Sequence, residues 1–223
     1  MKKPFTLIEI LVAMSVLSVF LLGLMQFYAT TESVLSSGVD RSEMFERARV
    51  AMDMMANDLA CIYYSQSDDK AKAFRSSAGS SDNGYFEAVT VRPEKLNPEA
   101  KTSIVAVKYE MGSSSGGGNS LYYSYDSQGD NFSISGASFG NKTELVEGVT
   151  SFSISKICGD GCDLPALVVI RLELLDSKSL KRLKANSALK DTITKNPANV
   201  REFRRMIVID RGQPKPTATK SGS

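Results

Sequence analysis

Glu9 is the residue whose type and position most directly point to chemistry, because it is the only charge in an apolar run over residues 5–27. Two lysines, Lys2 and Lys3, precede that run. A helix of this length, rising ~1.5 Å per residue, can cross a hydrocarbon core of ~30 Å. A carboxylate in such a core costs about 2.5–3.5 kcal/mol at the helix centre and less near an end. Glu9 therefore either reaches water at the membrane face or pairs with a cation.

The composition excludes several kinds of site. The chain has no histidine, which rules out a Ser-His-Asp triad, a Cys-His pair and any histidine-ligated zinc site within it. The formal net charge of +2 is too small to indicate nucleic-acid binding. The 223 residues leave enough chain beyond the apolar run for one globular domain. Ser-Lys and carboxylate-pair catalysis remain open in principle, but nothing at their spacing stands out, so we expect no enzyme activity, no cofactor and no nucleic-acid partner.

Cys158 and Cys162 are separated by Gly-Asp-Gly. The two glycines permit a tight backbone that brings the sulfurs together, and an extracytoplasmic location is oxidising, so we expect a small disulfide-closed loop. A redox Cys-x-x-Cys pair has only two intervening residues, and structural zinc would need more ligands than the remaining Cys61. Cys61 itself is predicted to be a buried free thiol.

Asp126 and Asp130 flank a short turn rich in oxygen donors and faintly similar to a calcium loop. The alternating donors and the distal Glu of an EF-hand are missing, so a plain Asp/Gly turn is favoured. We predict no metal site, and the two aspartates stay a weak calcium candidate.

The sequence FTLIEILVA at residues 5–13 resembles the class III leader junction of type IV pilins and type II secretion pseudopilins. In that family a membrane aspartyl peptidase cuts just before the Phe and methylates the new amino terminus. The Glu five residues into the mature chain then pairs with the terminal amine of a neighbouring subunit. The resemblance implies that Phe5 is the mature N-terminus and Glu9 the assembly carboxylate.

Pro4 departs from that family, which has Gly or occasionally Ala just before the cut. A proline fixes φ at about −65° and adds a ring that a subsite shaped for a small residue would have to accept. Proline is otherwise harmless in the first turn of a helix, where its missing N–H is no loss. The resemblance implies cleavage between Pro4 and Phe5, and an uncut chain would remain a membrane-anchored homologue.

The helical pattern continues beyond the apolar run. Over residues 30–64, apolar residues recur at spacings of three and four, which predicts an amphipathic helix. The predicted buried stripe comprises Phe45, Ala48, Met52, Met55, Leu59 and Ile62. The positive-inside rule places the two lysines in the cytoplasm and the chain after Tyr28 outside.

Beyond Gly84 the hydrophobic period changes from 3.6 to 2, which predicts strands. The predicted strands are residues 85–92, 102–111, 121–125, 132–139, 145–157, 167–175 and 201–210, with a short basic helix at 180–190. A helix followed by a run of strands predicts an α+β fold, with a long N-terminal helix packed on antiparallel sheet in the manner of pilins. The predicted division is 1–4 leader, 5–28 membrane part of the helix, 29–64 amphipathic part, 65–211 β-rich globular domain and 212–223 disordered tail.

Three later segments resemble the J-type minor pseudopilins of type II secretion. They are residues 47–59, which end in Asn-Asp-Leu, residues 145–154, and Leu-Pro-Ala-Leu-Val at 164–168. This resemblance implies a structural subunit at the tip of the secretion pseudopilus, held in the bacterial inner membrane before assembly. The implied partners are other minor pseudopilins, the major pseudopilin, the inner-membrane assembly platform, the prepilin peptidase and membrane lipid.

Two alternatives stay open. Minor pilins of type IV pili, which serve adhesion, motility or DNA uptake, share much of the same pattern. A signal-anchored envelope enzyme or binding protein that only mimics the leader would instead need a pocket of clustered polar residues.

Overall fold

The structure is a computed structural model of the chain and describes residues 6–63, 73–77, 84–92, 103–114, 118–126, 134–157 and 165–209. A long helix, α1 (Leu7–Ala60), is followed within these residues by eight strands and several short helical turns. The chain divides into two compact units, Met1–Glu43 and Met44–Ser223. The predicted α+β class, with the helix packed on antiparallel sheets, is confirmed.

In the first unit, α1 exposes its apolar residues on every side. All of residues 6–36 are exposed. The helix passes through Gly23 and Gly38 without interruption, and a Cβ at either position would meet nothing within 4 Å. Neither glycine is therefore required by a close neighbour in the described part of this chain.

In the second unit, α1 becomes amphipathic and buries one side. Its buried residues are Met44, Ala48, Ala51, Met52, Met55, Ala56, Asp58 and Leu59. The predicted stripe is thus confirmed at four of its positions, while Phe45 remains 46% exposed. The helix ends at Ala60, and Ile62 then forms an isolated antiparallel bridge with Thr90.

Two antiparallel sheets pack around this part of α1. The first has the order β1-β2-β3-β4-β5 and the second the order β6-β7-β8. The strands are β1 (Phe74–Ser76), β2 (Tyr85–Val91), β3 (Ile104–Ser113), β4 (Asn119–Asp126), β5 (Phe139–Glu147), β6 (Val149–Ile157), β7 (Leu167–Leu175) and β8 (Val200–Val208). Two short helices, α2 (Ser177–Ala185) and α3 (Lys190–Thr194), lie between β7 and β8.

Two glycines join the sheets. Gly148, with φ of 78°, is the single residue between β5 and β6, where the chain leaves one sheet and enters the other. Gly84 donates its N–H to the Phe152 carbonyl of β6 at 2.8 Å, and a Cβ there would lie 2.0 Å from that oxygen. Left-handed φ at the first position and the close approach at the second both require glycine.

The core lies between α1 and the inner faces of both sheets. Phe86 of β2 stacks on Tyr109 of β3 at 4.8 Å between ring centroids and reaches Phe152 of the second sheet at 6.4 Å. Met55 and Leu59 of α1 are fully buried in the same cluster. This single cluster therefore holds the helix and both sheets together.

Several predicted elements need correction. Residues 132–139 were expected to form a strand, but Ile134–Gly136 is a 3-10 turn and the strand begins at Phe139. The expected strand at 145–157 is broken at Gly148 because its left-handed backbone cannot continue a ladder. The expected helix at 180–190 is α2, which ends at Ala185. β1 lies before Gly84 and is not among the predicted strands.

Candidate functional site

Glu9 lies in the first turn of α1 and is exposed. The helix begins at Leu7, and the Thr6 carbonyl accepts the N–H of Glu9 at 3.1 Å and of Ile10 at 3.4 Å. Thr6 and Glu9 have the spacing of a capping box, and a carboxylate in the first turn interacts favourably with the helix dipole. The first turn of α1 therefore favours a carboxylate at position 9 even without a partner from another chain.

The helix around Glu9 has the length and composition of a membrane span. It contains an 18-residue window of mean hydropathy 2.5, none of it buried. Leu7 and Ile8, which directly precede Glu9 in the same turn, are 82% and 70% exposed. By length and composition the helix is consistent with a membrane anchor.

Hydroxyl groups in this helix do not disturb its apolar surface. Ser15, Ser18, Thr30 and Thr31 each donate to a backbone carbonyl three or four residues earlier, at 2.8–2.9 Å. These bonds satisfy each hydroxyl group within its own helix, so that it needs no hydrogen-bond partner from the surrounding lipid. Glu9 is the single charged side chain in the described chain before Glu32. It is therefore the chemically distinct position of the segment.

A second polar site anchors the end of α1 in the second unit. Asp58 lies in the last turn of the helix and is 2% exposed. Arg92, which follows β2, donates from Nε to Oδ1 at 3.0 Å and from Nη2 to Oδ2 at 2.5 Å. The Tyr109 hydroxyl of β3 donates to Oδ2 at 2.5 Å. An acid in a last helical turn opposes the helix dipole, and here the arginine compensates it.

The protonation states of Arg92 and Tyr109 are fixed by their surroundings. Burial alone would lower the pKa of Arg92, but the hydrogen bonds and charge of Asp58 outweigh burial and raise it. Burial raises the pKa of Tyr109, and the Asp58 carboxylate beside its hydroxyl raises it further. Arg92 also lies over the Tyr123 ring, 5.2 Å from its centroid. Arg92 therefore stays a cation and Tyr109 a hydrogen-bond donor throughout the physiological pH range.

A ladder of alternating charges crosses the first sheet. Arg75 of β1 bonds Glu87 of β2 at 2.7 Å, and Lys108 of β3 lies 3.8 Å from Glu87 and 2.7 Å from Glu110. Lys142 of β5 also pairs with Glu110. Burial would raise the pKa of Glu110, but the two lysines outweigh it and lower that pKa. The pairs Arg75–Glu87 and Glu87–Lys108 favour the observed strand register, since their opposite charges lie directly across from each other.

Most of the predicted site residues cannot be placed. Pro4, Phe5, Cys158, Cys162 and Asp130 lie outside the described residues. Asp126 ends β4 and is 1% exposed. No group of three or more His, Cys, Asp or Glu residues that could hold a metal ion occurs in the part of the chain that the structure describes.

The prediction of a buried Cys61 is wrong, because Cys61 is exposed in the turn after α1. Two helical residues rotate the chain by about 200°, so a residue two positions after the buried Leu59 faces away from the core. Sequence reasoning also missed the role of Asp58. The available signal was an acidic residue in the last turn of a helix with no basic residue in that turn.

Comparison with known proteins gives one partial similarity. No family model matches the chain. Over 76 residues the chain is 37% identical to the pilin-like protein PilA3 of Thermus thermophilus, which covers 33% of this chain and 33% of that protein. The match thus spans about a third of the length of each. It supports the resemblance to type IV pilins, and it does not confirm the J-type resemblance.

Proposed function

We propose that this protein is a non-enzymatic structural subunit of a type IV pilin-like fibre. Before assembly it would sit in the inner membrane, with its N-terminus in the cytoplasm and its globular domain in the periplasm. Glu9 carries the proposal, because it is the single charge among residues 7–31, the exposed apolar part of α1, and lies in the first turn of that helix. The similarity to a pilin-like protein of Thermus thermophilus supports it.

The apolar surface of α1 and the Glu9 carboxylate would have different tasks in assembly. The apolar helix would pack among the stems of neighbouring subunits through van der Waals contacts. In that low-dielectric surrounding an unpaired carboxylate is costly, whereas the amine at Phe5 of a neighbouring subunit would neutralise it. The ion pair would therefore determine the axial register between the helices of two neighbouring subunits.

Within this class we propose a minor pseudopilin at the tip of a type II secretion pseudopilus. Its partners would be other minor pseudopilins, the major pseudopilin, the assembly platform and the prepilin peptidase. The similarity to a pilin-like protein favours the second candidate, a minor type IV pilin, equally well. A deletion strain separates them: loss of protein secretion with normal pili supports the first, and loss of pilus function with normal secretion supports the second.

Replacing Glu9 tests the assembly role. We expect Glu9→Ala to be inserted in the membrane and folded like the native protein, yet absent from purified fibres. Glu32→Ala is the matched control, because Glu32 is exposed on the same helix beyond the apolar run. Incorporation of Glu9→Ala at the native level, measured by immunoblot of sheared fibres, would refute the mechanism.

Cleavage after Pro4 is tested by the mass and N-terminal sequence of protein from its native membrane. A chain that begins at N-methyl-Phe5 supports an assembly subunit. An intact chain that becomes processed in a Pro4→Gly variant would show that the proline blocks the peptidase, and the fibre role would fail for the native protein.

A further inference from the structure

Among the described residues, β8 forms an edge of the second sheet. It pairs with β7 over its full length of 9 residues and with no other strand in the described chain. The opposite edge of this sheet differs, because Gly84 donates its N–H to the Phe152 carbonyl of β6 at 2.8 Å. One side of β8 therefore presents backbone donors and acceptors that an added strand could use.

Apolar side chains flank this edge on both faces of the sheet. On the outer face, Met206 is 61% and Val208 is 73% exposed. On the inner face, Phe203 contacts Phe45 of α1 edge-to-face, with ring centroids 5.3 Å apart, and Phe45 keeps much of its surface exposed. An added strand would cover apolar surface above and below its own backbone.

The charges along β8 indicate which kind of strand fits. Arg205 pairs with Asp53 of α1, and Glu202 pairs with an arginine of β7 at 3.0 Å. Arg201 and Arg204 are exposed and have no acidic partner among the residues that the structure describes. Two exposed guanidinium groups without an acidic partner in the described ranges favour a strand with carboxylates opposite them.

Two other occupants fit poorly. Antiparallel pairing of two β8 strands over their full length would put Arg204 opposite Arg204, and like charges directly opposite are destabilising. Residues 212–223 of this chain contain two lysines, two prolines and no acidic side chain. Proline cannot donate a backbone hydrogen bond to a neighbouring strand. The lysines have the same charge as Arg201 and Arg204. This segment therefore fits neither the backbone nor the charge of the β8 edge.

We propose that β8 is a docking edge for an extended acidic segment of another polypeptide chain. The segment joins the second sheet as an added strand, with carboxylates opposite Arg201 and Arg204 and apolar side chains against Phe203 and Met206. Main-chain hydrogen bonds supply the affinity and the alternating side chains supply the selectivity. The proposal goes beyond fibre assembly, because it uses neither Glu9 nor the apolar part of α1.

The probe is a dye-labelled synthetic peptide about as long as β8, built from Val and Thr with two glutamates three residues apart. It is added to the full-length protein in detergent micelles, and binding is followed by fluorescence anisotropy. A second peptide has lysines in place of the glutamates, and a third is the acidic peptide N-methylated at alternate backbone nitrogens. We expect the second and third peptides to bind at least about tenfold more weakly than the first. Hydrogen exchange of the β8 amides should slow only with the acidic peptide.

The protein variant that isolates the charge effect is Arg201→Glu with Arg204→Glu. This variant should no longer bind the acidic peptide and should bind the lysine peptide more tightly. Its melting temperature should stay near that of the native protein. Lys178→Glu with Arg182→Glu on α2 is the matched control, because it changes the net charge equally at exposed positions outside β8. Control binding should equal native binding.

Three results would overturn the proposal. One is equal binding of the acidic and lysine peptides. Another is binding that leaves exchange of the β8 amides unchanged. The third is slow exchange of those amides without peptide that quickens when residues 212–223 are removed, since the edge would then be filled by the chain's own tail. None of these results depends on fibre assembly, so the proposed function stands or fails separately.

Discussion

Asp58 and Arg92 are joined by two hydrogen bonds across 34 residues of sequence. The contact ties the last turn of α1 to the end of β2, and Tyr109 adds a donor from β3. The carboxylate is almost fully buried, so protein groups replace the water that it loses. The Asp58 carboxylate thus connects three elements that are distant in the sequence.

Removing the carboxylate should destabilise the globular domain. We expect Asp58→Ala to lower the free energy of unfolding by about 3 kcal/mol, because Arg92 is left largely buried without its counter-charge. Denaturant unfolding followed by circular dichroism measures the loss. Asp53→Ala is the control, since it breaks the exposed pair with Arg205 and should cost less than about 1 kcal/mol. Equal losses in the two variants would contradict the anchoring role.

Tyr109→Phe tests the third donor to the same carboxylate. The substitution removes the hydroxyl and keeps the ring that stacks on Phe86. Hydrogen bonds to charged groups contribute about 1.5–3 kcal/mol, and we expect a loss in that range. Tyr122→Phe removes an exposed hydroxyl bonded to the Ser113 carbonyl and should cost less than about 1 kcal/mol. A Tyr109→Phe variant as stable as the native protein would argue against the assigned bond.

Gly84→Ala should disrupt the junction between the sheets. The new Cβ would lie 2.0 Å from the Phe152 oxygen, so the backbone must move and the hydrogen bond to that oxygen must weaken. We expect a loss of at least about 2 kcal/mol, measured as a lower melting temperature. Among the described residues, the Cβ of Gly118→Ala meets a Leu183 methyl at 3.5 Å and nothing closer, and the substitution should change stability by less than about 0.5 kcal/mol. A tolerated Gly84→Ala would mean that the approach is not as close as described.

The charge ladder should make stability depend on pH through Glu110. Because Lys108 and Lys142 lower its pKa below the usual 4.5, the folded state binds the carboxylate's proton less readily than the unfolded state does. Glu110 therefore stabilises the fold fully above pH 4.5, and this contribution is lost as pH falls through the lower, folded pKa. The stability difference between the native protein and Glu110→Gln should be largest near neutral pH and disappear in strong acid. A difference that is the same at every pH would exclude this ion-pair contribution.

Sequence periodicity was sufficient to predict the elements whose signals are local. The apolar run and the stripe at spacings of three and four correctly predicted α1, and the alternation beyond Gly84 predicted most strands. The break at Gly148 was missed because it depends on where the chain changes sheets, and the 3-10 turn at Ile134–Gly136, between two neighbouring strands of one sheet, was missed as well. A glycine within an alternating pattern was the available signal for the first.

Contacts between distant residues were not predictable from periodicity. Asp58 stands in a buried position by its spacing, yet its partner Arg92 lies at the end of a strand whose register the sequence alone does not specify. The same holds for Glu87 and Glu110, whose charge partners come from three different strands. Glu9 differs, because its isolation among apolar residues is a local feature and was apparent at once.

The single-residue connection at Gly148 has a consequence for how the globular domain comes apart. Only one residue separates β5 from β6, and the hydrogen bond from Gly84 to β6 connects the two sheets a second time. One sheet therefore cannot open while the other stays intact without stretching both junctions. We expect the two sheets to form one cooperative unfolding unit with a single transition, and amide exchange in β3 and β7 to share one opening free energy.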